Sequence, residues 1–215
     1  MNIEELKKTI LKMPKRVYTS ERDFQLALAM KFEEEYGNVV CEYTPDYLSE
    51  VEKDKKSRTH LDLMLCKEHI PVELKYRTKK LKGQSCFDNG LRYDFSLTDQ
   101  GAHDEGSYGF WRDVCRIQEY IDHDATCQKG YVIFLTNDKW YKEPDYSKNT
   151  THYEKFCLES KESATLDGQV SGKKKILRDI PKIDGNWINW KVDLMEDKQS
   201  VEYWCYIAEV NNIID

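Results

Sequence analysis

Two carboxylates and a lysine stand out in the stretch THLDLMLCKEHIPVELKYR, which covers residues 59–77. Asp62 lies in the first half of this stretch, and Glu73 and Lys75 lie in the second half. Ten residues separate Asp62 from Glu73. The pattern acid-x-Lys recurs elsewhere in the chain. Only this copy lies within an alternating apolar stretch that also has a second acid nearby. The pattern therefore indicates a place where two acidic side chains and one lysine act together.

Asp62 and Glu73 are expected to face each other across a β-hairpin. Residues 61–65 and 70–76 both alternate apolar and polar side chains, which predicts two strands joined by a short turn. A turn centred between residues 67 and 68 places Asp62 opposite Glu73. Opposed carboxylates about 5 Å apart destabilise a sheet unless a cation lies between them. Mg²⁺ is such a cation, because it binds one or two carboxylates together with waters and phosphate oxygens.

Together these groups suit the hydrolysis of phosphodiesters. A divalent cation held by two carboxylates polarises a phosphate and lowers the pKa of bound water. Lys75 projects to the same face as Glu73, so its ammonium group can orient the attacking water and balance developing negative charge. The alternative is that these side chains form the solvated side of an edge hairpin.

The residues resemble the PD-(D/E)XK nuclease superfamily, also called restriction-endonuclease-like. The resemblance lies in Asp62 within HLDLML, in the interval of ten residues, and in Glu73 and Lys75 within PVELKYR. Leu61 replaces the proline of the motif, and the segment between Lys75 and the next helix is longer than in a minimal core. The resemblance covers residues 19–136.

This resemblance implies a fold and a set of roles. The fold is α/β: a restriction-endonuclease-like core with a central mixed β-sheet flanked by helices, here with a C-terminal β-containing extension. Asp62 and Glu73 bind Mg²⁺, for which Mn²⁺ can substitute, and Lys75 positions the attacking water. An N-terminal helix brings a further metal-binding acid, for which Glu21 in TSERDFQ is the best match and Asp23 the second. Products carry 5′-phosphates.

Accessory residues follow from the same resemblance and from the register. Some members carry a Gln or a basic residue on or just before the next helix, and Gln100, Arg116 and Gln118 are candidates. His60 falls opposite Lys75 and is either accessory to the site or an ordinary strand histidine.

Basic residues gather close to the predicted site despite a formal net charge of −6. Those that directly follow it are assigned to contacts with the DNA backbone: Arg77, Lys79, Lys80 and Lys82. Two further basic groups, each more typical of a solvated face, are Lys53, Lys55, Lys56 and Arg58, and Lys173 to Lys175 with Arg178.

Hydrophobic spacing and turn residues predict the elements that hold the site. We expect helices at 2–13, 19–37 and 110–123, strands at 39–43 and 131–136, and a closing hairpin formed by INWKVDL and SVEYWCYIAEV. The segment 79–106 is expected to be an irregular functional loop. We predict one nuclease-like domain over 1–215, with a core at about 19–136 and an extension at about 139–215.

Composition excludes several classes of protein. The seven cysteines contain no C-x-x-C pair, which argues against a disulfide framework or a zinc site. No apolar run is long enough to span a membrane and the start of the chain is charged, so a cytoplasmic protein without a membrane partner is expected. No Gly-rich phosphate loop is present, which argues against NTP-driven activity.

The function expected from these observations is a Mg²⁺-dependent endonuclease of restriction, defence or repair type, with DNA as its partner. A homodimer or a partner subunit could supply recognition. Two alternatives stay open. One is a non-catalytic module of the same fold that binds nucleic acid or protein, and the other is the nuclease subunit of a larger complex that acts on RNA.

Overall fold

A computed structural model describes residues 1–51, 57–87, 89–145, 154–195 and 199–212 of the chain. Its helices are α1 (Ile3–Leu11), α2 (Glu21–Glu35) and α3 (His103–His123), with short 3₁₀ helices at Lys139–Tyr141 and Glu154–Phe156. Its strands are β1 (Val39–Tyr43), β2 (Leu48–Ser49), β3 (Ser57–Arg58), β4 (Leu61–Leu65), β5 (Ile70–Arg77), β6 (Leu81–Cys86), β7 (Arg92–Leu97), β8 (Lys129–Thr136), β9 (Ala164–Val170), β10 (Lys173–Ile180), β11 (Ile183–Asp193) and β12 (Ser200–Asn211).

A six-stranded sheet in the order β1-β4-β5-β8-β12-β11 forms the centre of the molecule. Strands β5 and β8 run parallel, and the other four pairings in this sheet are antiparallel. The prediction of an α/β fold with a central mixed sheet flanked by helices is therefore confirmed. The closing hairpin, β11 with β12, also forms as predicted and joins this sheet beside β8.

Helices cover both faces of the sheet. Apolar side chains of α1 and α2 pack on one face, against the even-numbered residues of β5, whereas α3 packs on the other face. Strand β8 is buried on both sides, as its continuous apolar sequence predicts. No helix in the described part of the chain is long and apolar enough to cross a membrane.

The start of α2 follows from capping chemistry. The Ser20 side chain accepts the backbone N–H of Asp23, and Glu21 lies in the first turn, where the helix dipole favours an acid. Ser20 is therefore the N-cap of α2. It places Glu21 at the end of the helix that lies next to the C-terminal end of β5.

The hairpin of β4 and β5 has the predicted register. Leu63 pairs with Val72, Met64 with Pro71, and Leu65 with Ile70. The ladder ends at the first of these pairs, so the strands separate before Asp62 and Glu73. The expected pairing of His60 with Lys75 does not form.

The segment 79–106 is not an irregular loop, and this prediction was wrong. Strands β6 and β7 form an antiparallel hairpin there, and α3 begins at His103, seven residues before the predicted start. Glycines and polar residues weaken the hydrophobic pattern of the hairpin and of the first turns of α3, so neither was predicted. A second hairpin, β9 with β10, lies in the weakly patterned region before β11.

Candidate active site

The separation of β4 from β5 exposes backbone groups that carboxylates then satisfy. Beyond Val72, the backbone N–H groups of Leu74 and Tyr76 have no strand partner on this edge. Asp62 Oδ2 accepts the N–H of Leu74 at 2.6 Å, and Glu21 Oε2 accepts that of Tyr76 at 2.7 Å. Buried backbone donors need such acceptors. Both acids are thereby fixed to the edge of the strand that carries Glu73 and Lys75.

A second set of contacts holds Asp62 from the side of α2. Gln25 Nε2 donates to the backbone oxygen of Asp62 at 2.8 Å and to Glu42 Oε1 at 3.0 Å. Glu42 has a φ of 53° and is skipped by the register of β1 with β4. A positive φ at a residue other than glycine costs of order 1–3 kcal/mol and is retained where surrounding structure requires it. Neither Gln25 nor Glu42 was among the residues predicted for the site.

Helix α3 adds an acid and an arginine to the site. Asp113 Oδ2 lies 3.2 Å from Lys75 Nζ, and Arg116 Nε lies 3.0 Å from Glu73 Oε1. Arg116 also pairs with Asp113 Oδ1, one helical turn away. Both acids are almost completely buried, at 1% exposure for the Glu73 side chain and 0% for Asp113. The pairing is ionic, since neither Glu73 Oε1 nor Asp113 Oδ2 has a partner in hydrogen-bond geometry.

Asp113 was missed by the sequence analysis, although a signal for it exists. It lies in the middle of α3, next to the core residues Phe110, Val114 and Ile117. An acid placed among core positions of a helix needs a cation or another partner. Lys75 and Arg116 meet that need.

Burial and mutual repulsion shift the pKa values of the site. Burial raises the pKa of Glu73 well above its usual value; Arg116 opposes this, and Asp113 and Asp62 add to it. Burial also raises the pKa values of Asp62 and Glu21. For Lys75 burial lowers the pKa, but the nearby acids outweigh it and the pKa rises. The site thus gathers four carboxyl groups around the two cations Lys75 and Arg116, and the raised pKa values favour a bound proton or a further cation among them.

The donor set suits a hard divalent cation bound by few protein ligands. In the parts of the chain that are described, no group of three or more His, Cys, Asp or Glu side chains is arranged to hold a metal. Mg²⁺ takes one or two carboxylates and completes its shell with waters and substrate oxygens. Asp62 and Glu73 can provide these two carboxylates, and Glu21 lies close enough to Lys75 and Asp62 for their charges to act on its pKa.

Asp23 and His60 lie elsewhere. Asp23 binds Arg16 through both carboxylate oxygens, so Glu21 is the acid that α2 brings to the site. His60 is exposed, and its Nδ1 lies 2.8 Å from Thr44 Oγ1 rather than near Lys75.

Of the three helix-linked candidates, Arg116 lies in the site and Gln100 lies beside it. Gln100 lines a cleft that Lys75 also lines, and its Oε1 accepts the backbone N–H of Thr78 at 3.0 Å. Gln118 Nε2 bonds Asp122 on the same helix.

The basic residues that follow the site are accessible. Lys79, Lys80 and Lys82 are exposed and Arg77 is partly exposed, and none of the four has an ion pair with another described residue. The group on β10 differs, because Lys174 pairs with Asp167 and Lys175 lies over the ring of Tyr108. Lys53, Lys55 and Lys56 lie outside the described residues.

No family model, curated protein or solved structure matches this chain.

Proposed function

We propose that this protein is a metal-dependent nuclease that hydrolyses phosphodiester bonds of DNA. One observation carries the proposal. Asp62 and Glu21 are fixed by backbone hydrogen bonds to the edge of β5, and that strand carries the buried Glu73 and the lysine that follows it. A strained Glu42, bonded to Gln25, supports the position of Asp62. Backbone strain beside buried acids that are held in fixed positions is typical of catalytic sites.

The residues divide the work of hydrolysis between them. Asp62 and Glu73 would hold Mg²⁺ or Mn²⁺, and Glu21 would contribute directly or through water. The bound cation would polarise the phosphate and lower the pKa of the attacking water. The acids around Lys75 outweigh burial and raise its pKa, which favours the charged ammonium group. In the proposed reaction this group would position the water and stabilise negative charge.

Contacts with the nucleic acid come from the accessible basic residues at the end of β5 and directly after it. Arg77, Lys79, Lys80 and Lys82 lie at the end of β5 and the start of β6. The chain as a whole carries a net charge of −6. Binding therefore depends on this local group, and we expect it to weaken strongly as salt concentration rises.

A non-catalytic binding module is the second candidate, and a specific observation favours it. Lys75 pairs with Asp113, and Arg116 pairs with Glu73. A module would retain these ion pairs for stability alone. The two candidates differ in whether the protein cleaves the nucleic acid that it binds.

Cleavage assays with a matched control separate the two candidates. Plasmid DNA, single-stranded DNA and RNA are incubated with Mg²⁺, Mn²⁺ or EDTA, using wild type, Asp62→Asn and Lys67→Ala. Lys67 is an exposed lysine in the turn of the same hairpin. We expect metal-dependent cutting of DNA by wild type and Lys67→Ala and none by Asp62→Asn. Equal cutting by all three proteins would point to a contaminant, and nucleic-acid binding without cutting would establish the module.

A further inference from the structure

A polar cleft of about 440 Å³ opens beside Lys75, between the start of α2 and the hairpin of β6 and β7. Its lining includes two cations, an amide and several hydroxyl groups: Lys75, Arg77, Gln100, Ser20 and Thr98. Glu21 is the one carboxylate among the described lining residues, and it already accepts the N–H of Tyr76. Hydrogen-bond donors and positive charge thus dominate the cleft.

Arg77 is the strongest unused donor in this cleft. Side chains alternate along β5, so Arg77 projects to the same face as Glu73 and Lys75. Arg77 is partly exposed, and its guanidinium group has no ion pair with a described residue. Its Nε is covered from solvent and has no hydrogen-bond partner among the described residues. The exposed part of this guanidinium group is therefore available to an anion that enters the cleft.

Gln100 offers a second donor at the same place. Its side-chain oxygen is occupied by the backbone N–H of Thr78, and its backbone N–H donates to the oxygen of Thr78. These two bonds fix the residue and leave its amide nitrogen available. A planar guanidinium group with an amide donor beside it suits a phosphate, whose oxygens accept from several directions.

The spacing along β5 relates this cleft to the proposed site of cutting. Alternate residues of a strand lie about 7 Å apart, so Glu73, Lys75 and Arg77 form a row that leads from the metal-binding acids into the cleft. A nucleic-acid strand presents a phosphate at every nucleotide. We propose that the cleft binds the phosphate next to the one that is cut, with Arg77 as its main ligand. This inference rests on the proposed function and adds a defined subsite to it.

Binding measurements in EDTA test Arg77 without any cutting. Fluorescence anisotropy of a labelled DNA duplex is recorded over a range of salt concentrations for wild type, Arg77→Ala, Arg77→Lys and Arg92→Ala. Arg92 is an exposed arginine at the far end of the hairpin and does not line the cleft. We expect Arg77→Ala to weaken binding roughly tenfold. The slope of log K against log salt should become less negative by about 0.9.

The other variants make this result specific to the guanidinium group. Arg77→Lys should retain the salt slope and recover only part of the affinity, because a lysine is a point charge without the planar fork. Arg92→Ala should match wild type. An unchanged affinity and slope for Arg77→Ala, with wild type bound, would overturn the subsite and leave the nuclease proposal standing. If wild type binds no polynucleotide with or without Mg²⁺, the proposed function itself fails, and the subsite with it.

Neutral phosphate analogues locate the subsite on the substrate. Cleavage is measured on duplexes in which one phosphate at a time is replaced by an uncharged methylphosphonate. Arg77→Ala should cleave the unmodified duplex more slowly than wild type. This difference in cleavage rate should vanish when the single phosphate adjacent to the cut is replaced. A penalty that depends instead on a terminal 5′-phosphate would assign the cleft to strand ends and overturn the proposal. A penalty that no replacement removes would do the same.

Discussion

Two clusters of charged side chains each include an acid from the first turn of α2, and they differ in how fully their polar groups are paired. Arg16 and Asp23 form a one-to-one pair, with NH1 at 2.8 Å from Oδ2 and NH2 at 2.5 Å from Oδ1. The backbone N–H of Thr19 donates to the same carboxylate. In the candidate site, by contrast, four carboxylates share two cations, and Glu73 Oε1 has no partner in hydrogen-bond geometry.

The difference is the one expected between a structural ion pair and the metal site proposed above. Burial raises the pKa of Asp23, but the hydrogen bonds from Arg16 and Thr19 outweigh it and the pKa falls. The pKa of Glu73 rises, because burial and two nearby acids outweigh Arg116. Native proteins satisfy most buried polar groups, so an excess of buried acid is expected where a further partner, a proton or a cation, is bound. The two clusters should therefore respond differently to mutation.

Loss of Lys75 should give the largest effect and should act on cleavage. Lys75→Ala removes the group that positions water and balances charge, and we expect kcat to fall about 10³-fold, or about 4 kcal/mol. Single-turnover cleavage at saturating enzyme measures this step. Asp23→Asn serves as the control and should cleave normally per folded molecule. A loss of cleavage in Asp23→Asn without unfolding would make Asp23, rather than Glu21, the acid of α2.

Disruption of the structural pair should act on stability instead. Asp23→Asn leaves Arg16 without its charged partner in a site where the two side chains are 23% and 9% exposed. We expect a loss of about 1.5–3 kcal/mol in the free energy of unfolding, the range for hydrogen bonds to charged groups. Urea unfolding at neutral pH measures it. An unchanged midpoint would show that the pair contributes nothing and would remove the contrast between the clusters.

Local patterns in the sequence were sufficient for much of the fold and for part of the site. Alternation along 61–65 and 70–76 predicted the hairpin and its register, because one face of each strand had to be buried. The acid-x-Lys pattern placed Glu73 and Lys75 on one face, and capping chemistry placed Glu21 at the start of α2.

Long-range contacts were beyond such patterns. Asp113 reaches Lys75 only because α3 crosses β5, which no local spacing encodes. The separation of β4 from β5 likewise depends on acceptors from other elements, and it explains why His60 lies away from Lys75. The hairpin of β6 and β7 was missed because its strands contain glycine and many polar residues, which weaken the alternation signal.

The structural pair should also give stability a defined pH dependence. The pKa of Asp23 in the folded protein lies below the usual value of 3.8, so the unfolded state binds more protons as pH falls between the two. The contribution of Asp23 is therefore fully present above the unfolded value and is lost as pH falls through the folded value. The stability difference between wild type and Asp23→Asn should be constant from about pH 5 to 7 and shrink below about pH 4.

Urea midpoints measured for both proteins across this range test the sign. Asp23→Asn cannot titrate at this position, so every other titrating group cancels in the difference. A difference that grows as pH falls would mean that the pKa of Asp23 is raised rather than lowered. It would then resemble Glu73 and not a satisfied structural pair.

The Gly109→Ala substitution should give the smallest effect, and it should act on the stability of α3. Gly109 lies in α3 opposite Lys75, and a Cβ placed there would lie 3.6 Å from Lys75 Cε, an ordinary van der Waals contact. Gly109→Ala should therefore stabilise the helix by about 0.5–1 kcal/mol and leave Lys75 in place. Gly109→Leu fills the space that the lysine occupies, so its cleavage should fall towards that of Lys75→Ala. If Gly109→Leu cleaves as well as Gly109→Ala, the position of Lys75 against α3 does not control the reaction.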